Sequence, residues 1–287
     1  MTAIALPAVR TKRRRSRRLP VSARIAAGVI GLVVVAVLLA PVLAPHNPTQ
    51  GQLGERLAGI GTAGHLLGTD GQGRDILSRL LYGGRLSLLS GLIPVLVAAV
   101  IGTLLGLLAG LGNRFTNGAV MRTLDVFYAF PAVLLAIAIA AALGSGASNA
   151  IVALSVILIP PIARIAETET ARLRGADFME AARASGARTS SIAIRQVLPN
   201  IAPAIVVYCT ALIGLCIVYS AGLSYLGLGI APPAPEWGVM ISDLQQYTFT
   251  KPELLLMPAL AILVASVAFN VLGDGLGSYF NVRQEVR

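Results

Sequence analysis

LSLLSGLIPVLVAAVIGTLLGLLAGL, residues 86 to 111, runs for 26 residues without one charged side chain. As a helix rising 1.5 Å per residue it is about 39 Å long, more than the roughly 30 Å hydrocarbon core of a bilayer. Other stretches repeat the pattern. Ile25–Ala44 is a 20-residue apolar run closed by Pro41, Pro45 and Pro48. From Val126 to Ala163 no charge occurs, which is too long for one ordinary helix, and the turn-forming Gly144–Asn149 (GSGASN) divides it into a hairpin of two spans. Ile201–Gly222 and Leu254–Gly273 complete a set of six. The expected fold class is all-α integral membrane with six transmembrane helices.

Composition agrees. Of 287 residues 55% are hydrophobic and 13% charged, about half the charged fraction of an ordinary soluble domain. The formal charge of +10 does not indicate nucleic acid. Eight basic residues (Arg10, Lys12, Arg13, Arg14, Arg15, Arg17, Arg18 and Arg24) crowd the first 24 positions, and the rest lie between apolar runs without stacking aromatics. The charge sets topology. Lys and Arg concentrate in cytoplasmic loops. With the N-terminus inside, 18 of them fall on inner segments and five (Arg56, Arg74, Arg79, Arg85 and Lys251) on outer ones. Both termini are therefore expected in the cytoplasm. The first apolar run exceeds the roughly 7–15 residues of a signal-peptide core, so it is expected to remain as an anchor. Cys209 and Cys216, seven residues apart in one span, would be about 10 Å apart, beyond disulfide reach.

Two outer segments are long. Pro45–Arg85 ends in an apparent amphipathic helix, Arg74–Arg85, with Ile76, Leu77, Leu80 and Leu81 on one face and Arg74, Asp75, Ser78 and Arg79 on the other. Ser224–Glu253 is proline-rich and is expected to hold Trp237 and Tyr247 at interface depth. In the second span Gly102, Gly106 and Gly110 recur every four residues. Such a stripe admits a close helix neighbour, and packing within the chain is the expected use.

The long inner loop from Arg164 to Gln196 has more structure than a connector requires. Glu180-Ala-Ala-Arg-Ala-Ser-Gly186 predicts a short helix stopped by a left-handed glycine. A second helix would begin near Thr189 or Ser190, either able to cap it, and Pro199 would interrupt its continuity with the fifth span. Two stiff helices joined at a hinge make a lever. Its mixed charges (Glu167, Glu169, Asp177 and Glu180 among Arg172, Arg174, Arg183, Arg188 and Arg195) suit either a solvated connector or a docking face.

No catalytic constellation accompanies these features. The lysines, Lys12 and Lys251, follow threonines rather than a Gly-x4-Gly, so no nucleotide-binding P-loop is present. There is no His-Glu-x-x-His and no Gly-x-Ser-x-Gly. Asn270 and Asp274 near the inner end of the sixth span are weak candidates for a proton relay. A transport subunit is the expectation; a secondary transporter acting alone would need intramembrane charge or inverted repeats, and neither is evident.

Glu180-Ala181-Ala182, three residues, Gly186, then Leu198-Pro199 resembles the EAA loop of ABC importer permeases, with Gln196 departing from the pattern. His65-Leu-Leu-Gly-Thr-Asp70-Gly-Gln-Gly-Arg74-Asp75-Ile-Leu-Ser78-Arg79-Leu-Leu-Tyr-Gly83 is similar to a segment of the dipeptide/oligopeptide/nickel permeases, specifically their C-type subunit. Asp125-x-x-Tyr-Ala-Phe-Pro131 and Ser224-Tyr-Leu-Gly-Leu-Gly229 resemble the same family, over roughly residues 20–280.

The resemblance implies an ATP-driven importer subunit in the bacterial cytoplasmic membrane. Its partners would be a B-type permease, two ABC ATPases and an external solute-binding protein. Glu180, Ala181, Ala182, Gly186, Leu198 and Pro199 would form the ATPase-coupling loop. No catalytic residue, metal site or cofactor is expected on this chain, ATP and magnesium belonging to the ATPases. The expected division is a basic cytoplasmic tail (1–24), a first span with its external segment (25–85), a five-helix core with the coupling loop at about 164–200 (86–280), and a cytoplasmic tail (281–287). His46 and His65 stand 19 residues apart outside the spans, and no span carries a histidine. Grouped nickel ligands are thus not apparent, and di- or oligopeptides are the expected cargo, with nickel or a metal chelate as the alternative.

Overall fold

The computed structural model describes residues 19–284, with side chains to residue 280. Most of the expected basic tail and the end of the C-terminal one lie outside the described residues. Eleven α-helices follow in order: α1 (Val21–Leu38), α2 (Ala40–Leu43), α3 (Ile76–Leu111), α4 (Arg114–Tyr128), α5 (Ala132–Leu143), α6 (Ala147–Leu173), α7 (Asp177–Ala184), α8 (Thr189–Ile192), α9 (Leu198–Tyr225), α10 (Trp237–Leu244) and α11 (Pro252–Gln284). Among the described residues only two isolated bridges, Thr62–His65 and Thr69–Asp75, have strand-like pairing. Helices α1, α3, α6 and α11, together with the helical run Thr189–Tyr225, are each long and apolar enough to cross a membrane.

The third span is corrected in form. Instead of a straight helix over Val126–Leu143, α4 and α5 meet at a bend of 87°. Pro131 sits between them as the N-cap of α5; it has no amide hydrogen, and it disfavours helical backbone at Phe130. α5 has 12 residues, or about 18 Å of helix, too short to span alone.

A second correction concerns α3. The expected amphipathic helix and the second span are one 36-residue helix, begun at Asp75, whose carboxylate accepts the Ser78 amide hydrogen. The expected division at residues 85/86 falls inside it. Its polar face does not meet solvent either: Arg74, Asp75, Ser78 and Arg79 are all buried.

The core forms where α3, α6 and α9 pack together, with α11 on α9 and α1 on the outside against α11. The glycine stripe serves packing within the chain. A Cβ at Gly106 would lie 2.6 Å from the Ala163 carbonyl oxygen and 2.4 Å from the Ala166 Cβ, so only glycine lets α3 and α6 approach this closely. Gly102 faces Ile159 and Ile162, and Gly110 faces Thr170, along the same seam.

Trp237 is buried within the protein. It opens α10, which is capped by the Glu236 carboxylate accepting from the Val239 amide. Its indole Nε1 donates to the Leu80 carbonyl at 3.0 Å, pinning α10 to α3. Cys209 is half-buried and Cys216 buried, both as free thiols.

Candidate functional site

α7 carries the expected loop. Its hydrophobic residues point inward: Met179 and Ala182 are buried in the same cluster as Ile192, Val197 and Ile201. The opposite face is exposed, with Asp177, Phe178, Glu180, Ala181 and Arg183. The helix ends as the spacing predicts. Gly186 has φ +76°, its amide donates to the Arg183 carbonyl, and the Ala187 amide donates to the Ala182 carbonyl, which closes a Schellman cap. Nothing lies within 4 Å of a Cβ built on Gly186, so backbone conformation and not crowding demands glycine there.

The next turn differs from expectation. α8 starts at Thr189 with Arg188 as N-cap and no side-chain capping bond, so neither Thr189 nor Ser190 caps it. Nor does Pro199 interrupt the path into the fifth span. The chain runs from α8 through a π-helical turn, Ala193–Val197, directly into α9, where Pro199 occupies the first turn. A proline there forfeits little, and the wide turn absorbs the altered hydrogen bonding. Gln196 lies in this π-turn with its amide oxygen buried and without a hydrogen-bond partner.

The candidate coupling residues therefore divide. Glu180, Ala181, Gly186 and Pro199 are exposed, Leu198 is half-buried, and Ala182 faces the chain's own core. Phe178 and Ile194 add exposed apolar surface at 41% and 64%. The loop is tied to the bundle by Arg174, whose guanidinium donates to the carbonyls of Ala109, Gly110 and Gly112 at the last turn of α3. A cation at that end also opposes the negative pole of the helix.

Between the α4–α5 bend, α6 and α9 lies a cavity of about 210 Å³. Phe127, Tyr128, Phe130, Pro160, Pro161 and Tyr208 are among its walls. The sequence marks it only at Pro131, where α4 and α5 break apart.

Residues 102–286 match the family described as binding-protein-dependent transport system inner membrane component. The chain belongs to that family. Among its relatives, the "glutathione transport system permease protein GsiD" of Pectobacterium atrosepticum is 42% identical over 253 residues, covering 88% of this chain and 84% of the relative. GsiD of Escherichia coli O157:H7 is 43% identical over 263 residues, 92% and 86% of the two chains. The "dipeptide transport system permease protein DppC" of Alkalihalophilus pseudofirmus is 38% identical over 253 residues, 86% and 83%. The fold resembles a chain of the MetNI methionine ABC transporter in an inward-facing form, with TM-score 0.58 and 22% identity over 73% of this chain and 97% of that one.

This multi-pass inner-membrane permease carries a second polar assembly at the opposite end of the bundle, which sequence reading missed. Arg74 Nε donates to Asp70 at 2.6 Å, and Arg74 and Arg79 both donate to Asp243 of α10, at 2.7 and 3.1 Å. Only Asp243 keeps appreciable exposure, with 24% of its side chain accessible. The arginines are thus compensated by acids from two segments, which is what permits their burial.

The histidines are also corrected. Far from being scattered, the His46 and His65 rings stack with centroids 4.6 Å apart. His65 Nδ1 is 2.9 Å from Asp75 Oδ1, and its Nε2 is 3.1 Å from Glu55 Oε2. The Asp75 hydrogen bond raises the pKa of His65 above its ordinary value, and burial opposes the rise. No sequence motif could have found this arrangement, because four turn glycines with positive φ (Gly61, Gly64, Gly68 and Gly73) fold the intervening segment back on itself.

Proposed function

We propose that this chain is the C-type permease of an ATP-driven importer for di- and oligopeptides, paired with a B-type permease to enclose one pathway. One of two ABC ATPases docks on the α7 face, the other serving the partner permease, and a solute-binding protein delivers cargo to the opposite end. With the 18-to-five distribution of basic residues, both termini and α7 are cytoplasmic. The observation that carries the coupling role is the exposure of Glu180, Ala181, Gly186 and Pro199 on a loop anchored by Met179 and Arg174. A face held this rigidly passes a push from the ATPase into α3 and α9 instead of yielding to it.

The mechanism is alternating access. ATPases that close on nucleotide contact the α7 face differently from open ones, and only that difference can bias the permease between its two states. ATP and magnesium act on those partners; this chain supplies no catalytic group. The cavity beside the α4–α5 bend forms part of the pathway wall, its aromatic rings giving apolar contact without a fixed charge to hold the cargo. Peptides are favoured as cargo by relatives named for glutathione, itself a tripeptide, and for dipeptide. The cavity walls contain no histidine, so nothing there favours nickel.

The test is a deletion strain auxotrophic for an amino acid supplied only as peptide. Growth on di- to pentapeptides should be lost and restored by the gene. Unimpaired growth together with lost nickel uptake would overturn the cargo assignment.

A further inference from the structure

We infer that His46, His65 and Asp75 form a binding site for a divalent transition-metal ion of zinc type, at the end of the bundle away from α7. One ligand atom from each of the three lies within 4.8 Å of those of the other two. Asp75 Oδ1 is 2.9 Å from His65 Nδ1 and 3.9 Å from His46 Nδ1. Ligand atoms about 2.0–2.2 Å from a tetrahedral zinc ion lie roughly 3.3–3.6 Å from each other. The ion is therefore admitted once Asp75 and His65 part slightly and the half-exposed His46 ring turns out of its stack on His65 to close on them. Two imidazoles and a carboxylate are donors suited to zinc, and less so to the harder magnesium or calcium.

The surroundings orient these groups as a metal site requires. A ligating histidine ordinarily gives its other ring N–H to a carboxylate. Glu55 Oε2, 3.1 Å from His65 Nε2, can accept in that position, so that an ion entering the cluster displaces the proton His65 Nδ1 shares with Asp75 and takes up the freed lone pair. Asp75 Oδ2 accepts from both the amide and the hydroxyl of Ser78, at 2.7 Å each, so Oδ1 is the oxygen turned toward the histidines. The Ser78 hydroxyl oxygen in turn accepts the His46 backbone amide at 3.1 Å, holding that residue over the same helix start. Asp75 is buried and the His65 side chain is 6% exposed, whereas the His46 side chain is 40% exposed. Three protein ligands with one open side leave a fourth position for water or for a donor from a docked partner.

The competing arrangement is a protonated His65 held between Asp75 and Glu55 with no metal. It gives the same hydrogen bonds but no use for His46, which stacks on His65 with its Nδ1 toward the shared carboxylate. The site stands apart from the cavity walls and α7, so it is independent of the cargo assignment.

The experiment uses the full-length chain in its assembled transporter, without a polyhistidine tag, in lipid nanodiscs. Zinc is added, unbound ion is removed by dialysis, and retained metal is counted. One equivalent should disappear in the His46→Ala and His65→Gln double variant. Glu55→Gln, which keeps all three ligands, should retain the site with affinity reduced about 10- to 100-fold. Cobalt in place of zinc should show tetrahedral ligand-field absorption that the double variant lacks; complex assembly by size exclusion verifies that each variant is folded. Equal zinc content in wild-type and double-variant complexes, or an assembled wild-type complex that shows no cobalt spectrum, overturns the inference.

Discussion

Single side chains in this permease are decided by what they touch across the chain. Burial pushes the Glu236 carboxyl above the usual carboxylate range, against hydrogen bonds from the Gly238 and Val239 amides and the Ser87 hydroxyl. Glu236→Gln keeps an oxygen for the Val239 amide and should leave thermal unfolding in detergent nearly unchanged. Glu236→Ala removes the cap of α10 and should lower stability by about 1 kcal/mol or more. At Gly106 a larger side chain must push the Ala163 carbonyl away. Gly106→Val should cost about 1–3 kcal/mol, whereas Gly28→Ala, with nothing within 4 Å, should be silent in the same melting assay. The glycine stripe was legible because four-residue spacing puts all three glycines on one helix face, where a neighbouring helix can approach. The buried arginines were not. Arg79 reads locally as the polar face of a surface helix, and its partner Asp243 lies 164 residues away.

Among the elements, α7 and its cap bear the functional reading. Gly186→Val forces a β-branched residue into φ +76° and should abolish import while membrane levels and assembly with the other subunits stay normal. Gly175→Ala, at an unstrained position with open space around it, should import normally. Wild-type uptake by Gly186→Val would remove the lever. The cap was legible because a left-handed glycine after an Ala-rich helix is a local matter. The bend at Phe130 and Pro131 was less so, since an uncharged run shows where lipid is tolerated and not where a helix turns. Pro199 misled for the reverse reason. A proline that breaks an α-helix by local rules is accommodated when a π-turn precedes it.

Taken whole, the molecule has two polar ends joined by apolar helices, and the number of apolar segments was readable from charge spacing together with the turn residues Gly144–Asn149. In a background with Cys209 and Cys216 replaced by alanine, Ser145→Cys should react with an impermeant thiol reagent in intact cells and Asp177→Cys should not. Labelling of Asp177→Cys would reverse the orientation. What charge spacing could not convey is the continuity of α3. Its 36 residues amount to about 54 Å of helix, fixed at one end by Asp75 and at the other by the grip of Arg174 on its last carbonyls. A helix under load hardly changes length, so both ends report the same coordinate. Two partners seated at those ends are then linked thermodynamically even though they never meet. If nucleotide in the ATPases weakens the hold on a solute-binding protein by some factor, that protein must shift nucleotide affinity by the same factor. Heterotropic binding measured from either face should give one coupling free energy.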